Sequence, residues 1–374
     1  MKFISRFFFS IFLLLIIPKM VHAQLLRLPD PQVTNLICRV GRTVGVTDIL
    51  ITYNAPAMRG RDGSIWGTTI VPYGYTVLGF GSIVESPWRA GANESTTMSF
   101  STDVLINGKK LPAGTYGFFM AVYADSTVLI FNKNVQGWGS YFYDSSQDIM
   151  HVTTRQQKNQ PQSKERLEYN FQNQTDRSVE VALEWEKWRI PFKVEVDLIQ
   201  TTLGSIQTQM SGAMGFDPAS LQAAADWCLN KNINLDQATT WITSATSPSL
   251  GGVQTYAALT TQSGLLAKSG KKDEADKIMA IAIENASSIE LHGHGRRLLA
   301  SKKPAEAMAI FEKNYKKYDG KWPTAVGMMR GLSATGKLTE ALKYAKIALT
   351  QAPDDINKKN LEASIKTLEG GNPL

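Results

Sequence analysis

The sequence predicts an antiparallel β-sandwich followed by a short helical solenoid, because the spacing of apolar residues changes once along the chain. Up to about residue 198 apolar and polar residues alternate, as in Val179, Val181 and Leu183, and this period is typical of half-buried antiparallel strands. From Asp217 the period is helical, and Asp217 followed by Pro218 is a typical helix start. The length of 374 residues fits an all-β and an all-α domain.

Glycine, proline and asparagine divide the first half into about eight to eleven short strands without helices between them, which favours a sandwich or open barrel. The Asn107-Gly108 dipeptide predicts a tight turn in a hairpin formed by residues 98–106 and 115–123. The stretch 199–216 is rich in Thr, Ser and Gln and is predicted to be a linker, so the β domain covers residues 24–198.

The second half, residues 217–374, repeats itself. Glu-Ala pairs end at Ala275, Ala307 and Ala341, with spacings of 32 and 34 residues, and a degenerate copy ends at Ala238. A helix-turn-helix unit of about 34 residues resembles the tetratricopeptide repeat, and stacks of such units usually bind a peptide or another protein. A stack can also brace its own chain, so a protein partner and bracing both remain open.

Residues 1–23 have the layout of a secretory signal peptide. Lys2 and Arg6 precede an apolar run, residues 7–17, and small residues predict cleavage near Ala23-Gln24. The run is shorter than the roughly 20 residues of a membrane-spanning helix, which disfavours the alternative of an uncleaved anchor, and no later segment is a transmembrane candidate. We therefore expect a periplasmic or secreted protein.

Charge and motif content exclude several classes. The formal net charge of +7 includes three basic residues of the signal peptide, which leaves 37 basic and 33 acidic residues, or +4. The β domain has 17 of each, so nucleic-acid binding is not expected. Cys38 and Cys228 are predicted to be free thiols rather than a bridge, although export permits one. No metal or cofactor is expected, because His292 and His294 lack the spacing of a metal-binding pair.

Arginines, aromatic residues, an asparagine and a glutamate concentrate on Gly- and Pro-rich connections between strands of the β domain. Arginine offers a rigid fork for carboxylate, phosphate or sugar oxygens, and Trp and Tyr offer flat surfaces that suit sugar rings. Loops held by a rigid sandwich are a common location for binding sites. The candidate ligand-binding residues are Tyr53, Arg59, Arg61, Arg89, Asn93 and Glu94.

Two interpretations of this cluster remain open. The three arginines can instead be structural, pairing with Glu94, Asp62 or backbone carbonyls to hold long loops in place. A second group consists of Trp138, Tyr141 and Tyr143, with Asn132 and Asp148 nearby. These residues can form an aromatic wall beside the site, although packing in the core is the favoured explanation.

A series of short motifs runs along the β domain. The motifs are Tyr53, Pro56 and Gly60-Arg61, then Trp66-Gly67, Val71-Pro72-Tyr73-Gly74, Trp88 to Thr96, Ala113-Gly114-Thr115-Tyr116, Phe131-Asn132, Trp138-Gly139 and Trp185-Glu186-Lys187. The series resembles a bacterial exported family known only as the domain of unknown function numbered 2911. The resemblance covers about residues 25–198 and implies no activity, and the helical half resembles the tail of longer members.

The chain departs from the family pattern in two places. Between Tyr73-Gly74 and Trp88 the family usually has only a residue or two, whereas residues 75–87 form an insertion here that is expected to lengthen a hairpin beside the site. After Asp148 the family tends to place Arg where this chain has His151. The resemblance therefore supports no functional role for His151.

The sequence favours a non-catalytic binding or scaffold protein, because no nucleophile elbow, phosphate loop, dinucleotide-binding motif or zinc-protease motif is present. In this interpretation the β domain holds a small polar ligand or glycan, and the repeats hold a protein partner. The alternative is an envelope hydrolase in which Glu94 is the acid/base and the arginines clamp an anion. Asp62 and Asp148 are the partner carboxylates available to such an enzyme.

Overall fold

A computed structural model describes residues 35–79 and 82–374. The chain divides into two units, one ending at Thr201 and the other running from Thr202 to Leu374. The predicted signal peptide and its cleavage site lie outside the described residues.

The first unit is built from antiparallel strands. Those in the described residues are β1 (Leu36–Val44), β2 (Thr47–Ala55), β3 (Thr76–Gly79), β4 (Ser82–Ser86), β5 (Thr96–Phe100), β6 (Val104–Ile106), β7 (Lys109–Leu111), β8 (Gly114–Val122), β9 (Thr127–Asn132), β10 (Asp148–Thr154), β11 (Lys164–Gln172), β12 (Ser178–Glu186) and β13 (Trp188–Glu195). One sheet has six strands in the order β1-β2-β5-β8-β9-β10, and a second has five in the order β11-β12-β13-β6-β7. A separate ribbon pairs β3 with β4.

The two large sheets bury one apolar core between them. Phe118 and Met120 of β8 share this core with Val181 and Leu183 of β12, and all four side chains are almost completely buried. Burying a side chain of this size stabilises a fold by about 1.5–3 kcal/mol. The predicted all-β sandwich is confirmed, with more strands than expected because β3, β6 and β7 are only three or four residues long.

The central strand β8 is buried on both faces. Phe119 and Ala121 point away from the main core and form a second apolar cluster with Ile130 of β9. Tyr143 and Tyr75 cover this cluster, and the ring centroids of Phe119 and Tyr143 are 5.3 Å apart. The outer face of the six-stranded sheet therefore holds the loop after β9 and the start of the inserted segment in place.

The predicted hairpin of residues 98–106 and 115–123 is divided between the two sheets. Its outer parts pair as β5 and β8, with Met98 opposite Tyr116. Its inner parts, β6 and β7, join the five-stranded sheet, where β6 pairs with β13. Asn107 and Gly108 form the turn between β6 and β7, and both have a positive φ, which Asn and Gly tolerate best.

The remaining chain is helical. The α-helices are α1 (Leu198–Met210), α2 (Pro218–Lys231), α3 (Leu235–Thr246), α4 (Tyr256–Lys268), α5 (Lys272–Asn285), α6 (Ser288–Ala300), α7 (Pro304–Lys317), α8 (Thr324–Ala334), α9 (Leu338–Gln351) and α10 (Asp355–Glu369). Helix α1 and a short 3-10 turn occupy the stretch 199–216 that was predicted to be a linker. The predicted start of α2 is confirmed, because the Asp217 carboxylate accepts a hydrogen bond of 2.8 Å from the Ser220 backbone N–H.

The repeat positions found in the sequence occupy equivalent places in successive helices. Ala238, Ala275, Ala307 and Ala341 are each the fourth residue of their helix, in α3, α5, α7 and α9, and all four are buried. Small residues at this position let paired helices approach closely. The helical half is therefore a series of similar hairpins.

Several general features bear on function. Cys38 and Cys228 are both free thiols. Among residues 35–79 and 82–374, no group of His, Cys, Asp and Glu side chains is arranged to hold a metal ion. No helix in the described part of the chain has the length and apolar character needed to span a membrane.

Phe311 of α7 packs against glycines of two neighbouring helices. Its ring is fully buried. A methyl group at Gly295 of α6, or at Gly327 or Gly331 of α8, would overlap this ring or the Met308 sulfur. These glycines permit the close approach of three helices around Phe311.

We expect Gly295→Ala to destabilise the helical unit by about 1–3 kcal/mol, because the new methyl group overlaps the Phe311 ring. The matched control is Gly293→Ala in the same helix, where the nearest atom to the new Cβ is Arg297 Nη1 at 3.8 Å. Alanine's higher helix propensity predicts a gain of up to about 1 kcal/mol for the control. Urea unfolding followed by circular dichroism measures both, and equal effects of the two substitutions would contradict this packing.

The two histidines of α6 differ in their surroundings. Nδ1 of His294 lies 3.0 Å from the Tyr256 hydroxyl, whereas the buried Nδ1 of His292 has no hydrogen-bonding partner in the described residues. Burial lowers the pKa of His292 to about 4, and the positive charges of Arg330 and Arg296 add to this effect. Burial and the charge of Arg297 also lower the pKa of His294. Both imidazoles are therefore neutral in the folded protein at neutral pH.

The low pKa of His292 predicts a loss of stability in mild acid. The unfolded chain takes up a proton near pH 6.5, whereas the folded protein does so only near pH 4, so protons favour the unfolded state in this interval. The contribution is complete above pH 6.5 and falls by up to about 3 kcal/mol as the pH approaches 4. We expect His292→Gln to lose less unfolding free energy than the parent over this range in urea titrations; parallel losses would be the opposite result.

Candidate ligand-binding site

A cavity of about 590 Å³ lies among the loops of the β unit. Its walls are formed by the loop 56–74 after β2, the β3–β4 ribbon, residues 86–93 and residues 140–141. Trp185 of β12 and Asn35 also line it. The volume is in the range of about 300–1,000 Å³ that is typical of small-molecule sites.

The structure brings four of the six predicted site residues to this cavity. Arg59, Arg61, Arg89 and Asn93 line it. The fold brings these two pairs together although 28 positions separate Arg61 from Arg89 in the sequence. No Asp or Glu is among the lining residues in the described part of the chain. The cavity is therefore lined by three guanidinium groups and no carboxylate.

Arg61 is held by backbone oxygens of its own loop. Its Nε donates to the Met58 carbonyl at 2.7 Å, and Nη2 donates to the Ala57 carbonyl at 2.8 Å. The backbone N–H of Arg59 donates to the Glu165 carboxylate of β11 at 3.0 Å, which ties the same loop to the five-stranded sheet. Arg61 therefore has the loop-holding role proposed from the sequence, and both arginines line the cavity.

Arg89 is fixed from three sides. Its Nη1 donates to the Asn93 carbonyl at 2.8 Å, and its guanidinium carbon lies 5.3 Å from the centre of the Tyr141 ring. Its third neighbour is Gly139, where φ is +60° and any side chain would overlap the guanidinium. Burial lowers the pKa of Arg89 from its usual value, and Tyr141 partly opposes that shift. A partly desolvated charge of this kind interacts more strongly with an anion than one in water.

Four tryptophans pack together beside the cavity. Trp66 of the loop stacks on Trp188 of β13 with 4.6 Å between ring centroids, and its edge meets Trp88 at 5.8 Å. Trp88 in turn stacks on Trp185 at 6.3 Å. Trp88 and Trp185 line the cavity, so its floor is aromatic. The Trp66–Gly67 and Trp88–Thr96 motifs of the sequence therefore serve packing and cavity lining together.

Two almost fully buried residues of the lining have polar atoms without a hydrogen-bonding partner. These are Ser140 Oγ and Trp185 Nε1, and each has less than 1 Å² of accessible surface. An unsatisfied buried polar group costs about 1–3 kcal/mol. These two residues therefore stand at a cost to stability in the wall of the cavity.

The inserted segment 75–87 forms one wall. It contains the antiparallel ribbon of β3 and β4, with Thr76 opposite Ser86. Thr76, Leu78, Ser86 and Pro87 line the cavity, while Ile83 on the same ribbon is 91% exposed. The position of the β3–β4 ribbon agrees with the expectation that residues 75–87 lengthen a hairpin beside the site.

Tyr53 lies in the sandwich core, away from the residues that line the cavity. Its ring centroid is 4.8 Å from that of Tyr169, and its hydroxyl accepts a hydrogen bond of 3.3 Å from the Tyr169 backbone N–H. Burial raises the pKa of Tyr53 to about 12. Tyr53 therefore supports the strand that leads into the cavity loop, and the cavity lining does not include it.

Glu94 is exposed and is not among the residues that line the cavity. Its carboxylate accepts a hydrogen bond of 2.7 Å from Asn54 Nδ2. The neighbouring Asn93 has φ +55°, and its Oδ1 accepts a bond of 3.1 Å from Asn35, so successive side chains of this loop have different surroundings. Asp62, one of the proposed partner carboxylates, is also exposed and outside the lining.

Asp148 belongs to a separate polar cluster. Its carboxylate accepts hydrogen bonds from Asn132 at 2.8 Å and from the Tyr143 hydroxyl at 2.5 Å, and it lies 2.7 Å from His151 Nε2. Burial and this carboxylate raise the pKa of Tyr143. Of the predicted aromatic wall, Tyr141 lines the cavity, whereas Trp138 and Tyr143 do not. Trp138 is 53% exposed.

Comparison with known proteins finds similarity to a family model and assigns no role. Residues 38–194 match the model of a family described as a protein of unknown function (DUF2911). The match covers almost the whole β-sandwich and supports the resemblance found from its motifs. No curated protein matches the chain.

The position of Arg89 gives a test of the site geometry. We expect Gly139→Ala to destabilise the β unit by about 1–2 kcal/mol more than Gly63→Ala, because it also displaces Arg89 from Asn93 and Tyr141. Gly63 is the matched control, since its φ is +68° and a Cβ there meets nothing within 4 Å. Denaturant unfolding gives both values.

A second pair of variants isolates the arginine. In an Arg89→Ala background, the extra cost of Gly139→Ala over Gly63→Ala is expected to disappear. An extra cost that persists without the arginine would show that some other contact is responsible.

Proposed function

We propose that this chain is an exported, non-catalytic binding protein whose β unit holds a small polar ligand or glycan. The observation that carries the proposal is the cavity of about 590 Å³, which combines three arginines with an aromatic floor. Arginine and aromatic side chains together suit a ligand with both oxygens and a flat ring. The export signal in residues 1–23 supports a periplasmic or secreted location.

The hydrolase alternative has less support. A general acid needs to reach the reacting group, with geometry as the first requirement. Glu94 is exposed, bound to Asn54 and outside the cavity lining, and the lining residues in the described chain include no carboxylate. Binding therefore explains the cavity better than hydrolysis by Glu94.

The helical half is proposed to bind a protein partner through tetratricopeptide-like repeats. Burial lowers the pKa of Arg330 in α8, and the positive charge of the exposed Arg296 in α6 lowers this pKa further. Neither forms a salt bridge within the described residues. A second cavity, of about 410 Å³, is lined by Arg330 and Lys302 together with apolar side chains. These features favour an acidic segment of the partner.

The location of the ligand can be tested by filling the cavity. We expect Ala92→Trp, a substitution in the lining, to reduce affinity for any small ligand at least about tenfold, because the indole occupies the binding volume. Ala124→Trp is the matched control, since Ala124 is exposed on the loop between β8 and β9 and does not line the cavity. Calorimetric titration with ligands found in a sugar and metabolite screen measures both.

Glu94→Gln separates binding from hydrolysis. Because Glu94 lies outside the cavity lining, ligand affinity is expected to stay within about twofold of the parent, with no product released from the ligand. Turnover that Glu94→Gln abolishes would instead support the hydrolase. Ligand binding that survives Ala92→Trp would place the site elsewhere.

A further inference from the structure

We infer that the ligand of the β-unit cavity is an acidic sugar, a ring that carries hydroxyl groups and a carboxylate or phosphate. This inference rests on the proposed binding function and specifies the class of ligand. It follows from the charge of the lining, from how that charge is held, and from the polar and aromatic groups beside it.

Two arginines of the lining, Arg61 and Arg89, are not neutralised by a carboxylate of the described residues. Arg59, Arg61 and Arg89 line the cavity, and no acidic side chain of the described residues does so. The partners that fix Arg61 and Arg89 are carbonyl oxygens and the Tyr141 ring, and neither arginine forms a salt bridge within residues 35–79 and 82–374. Like charges around one cavity repel each other, and an anion placed among them relieves this repulsion.

The arginines are also fixed before any ligand binds. Two carbonyl contacts hold Arg61, while Asn93, Gly139 and Tyr141 surround Arg89. A guanidinium has five N–H groups, and the contacts named here leave several unused. Carboxylate and phosphate are the groups that such a planar fork binds best, because they accept two parallel hydrogen bonds.

The rest of the lining suits the ring of a sugar. Trp88 and Trp185 provide an aromatic floor, and Ile70 and Leu78 are apolar neighbours. Asn35, Thr76 and Asn93 add polar side chains to the lining. A lipid or an aliphatic acid would leave these polar groups unpaired, whereas the hydroxyl groups of a sugar ring can form hydrogen bonds with them.

The test compares sugars that share a ring and differ in charge. The probes are glucuronate, glucose 6-phosphate, neutral glucose and cationic glucosamine, titrated into the mature protein by calorimetry. At least one acidic probe is expected to bind about tenfold or more tightly than glucose, with glucosamine weakest. The preference between the two acidic probes distinguishes carboxylate from phosphate. Raising sodium chloride from about 0.05 to 0.5 M is expected to weaken the acidic probe several-fold and to leave glucose unchanged.

Arg59→Gln and Arg177→Gln provide matched variants. Arg59 is an exposed residue of the lining, and its replacement is expected to weaken the acidic probe at least about fivefold and to weaken glucose by a smaller factor. Arg177 is exposed, lies outside the lining and has Asp176 3.9 Å away, so Arg177→Gln is expected to have no effect. Thermal unfolding of each variant shows whether it remains folded.

The possible results distinguish failure of the acidic-sugar inference from failure of the proposed binding function. Glucose binding as tightly as both acidic probes, with no effect of Arg59→Gln, would overturn the acidic class and leave a sugar-binding cavity in place. If no probe, charged or neutral, binds at about 10 mM, the acidic class is overturned. If binding occurs and persists in Ala92→Trp, both the class and the proposed site are overturned.

Discussion

The packing of four tryptophans is the interaction on which the cavity depends. Trp66 and Trp88 come from connecting segments, whereas Trp185 and Trp188 come from neighbouring strands of the five-stranded sheet. Each aromatic pair adds about 0.5–1.5 kcal/mol beyond the area that it buries. The stack therefore attaches the loop 56–74 and residues 86–93 to a rigid sheet, and those two segments carry the arginines of the cavity.

The way in which arginines are held separates structural charge from charge available to a ligand. Arg189 of β13 is buried and lies within 3.1 Å of both Glu180 and Glu184, so its charge is neutralised within the sheet. Arg61 and Arg89 are held instead by neutral carbonyl oxygens and a ring, which fix the side chain and leave its charge in place. Holding a loop and binding a ligand are therefore compatible roles for one arginine.

The sequence predicted those parts of the structure that follow from periodicity. Alternation predicted the sandwich, and the regular spacing of Glu-Ala pairs predicted the helical hairpins. Contacts that depend on the backbone conformation of individual loop residues, or on an irregular strand register, could not be predicted from periodicity. Asn93 lines the cavity and Glu94 does not, because the positive φ of Asn93 turns the loop between them. Similarly, an irregular register in β10 between Asp148 and Met150 accompanies the Asp148–His151 contact, which regular alternation does not predict.

We expect the arginines of the β-unit cavity to bind the acidic group of a sugar. The most direct measurement is a crystal structure of residues 24–374 with glucuronate or glucose 6-phosphate. The acidic group is expected within hydrogen-bonding distance of Arg59, Arg61 or Arg89, with the sugar ring near Trp88. Density for the ligand outside this cavity, or with its acidic group turned away from all three arginines, would contradict this expectation.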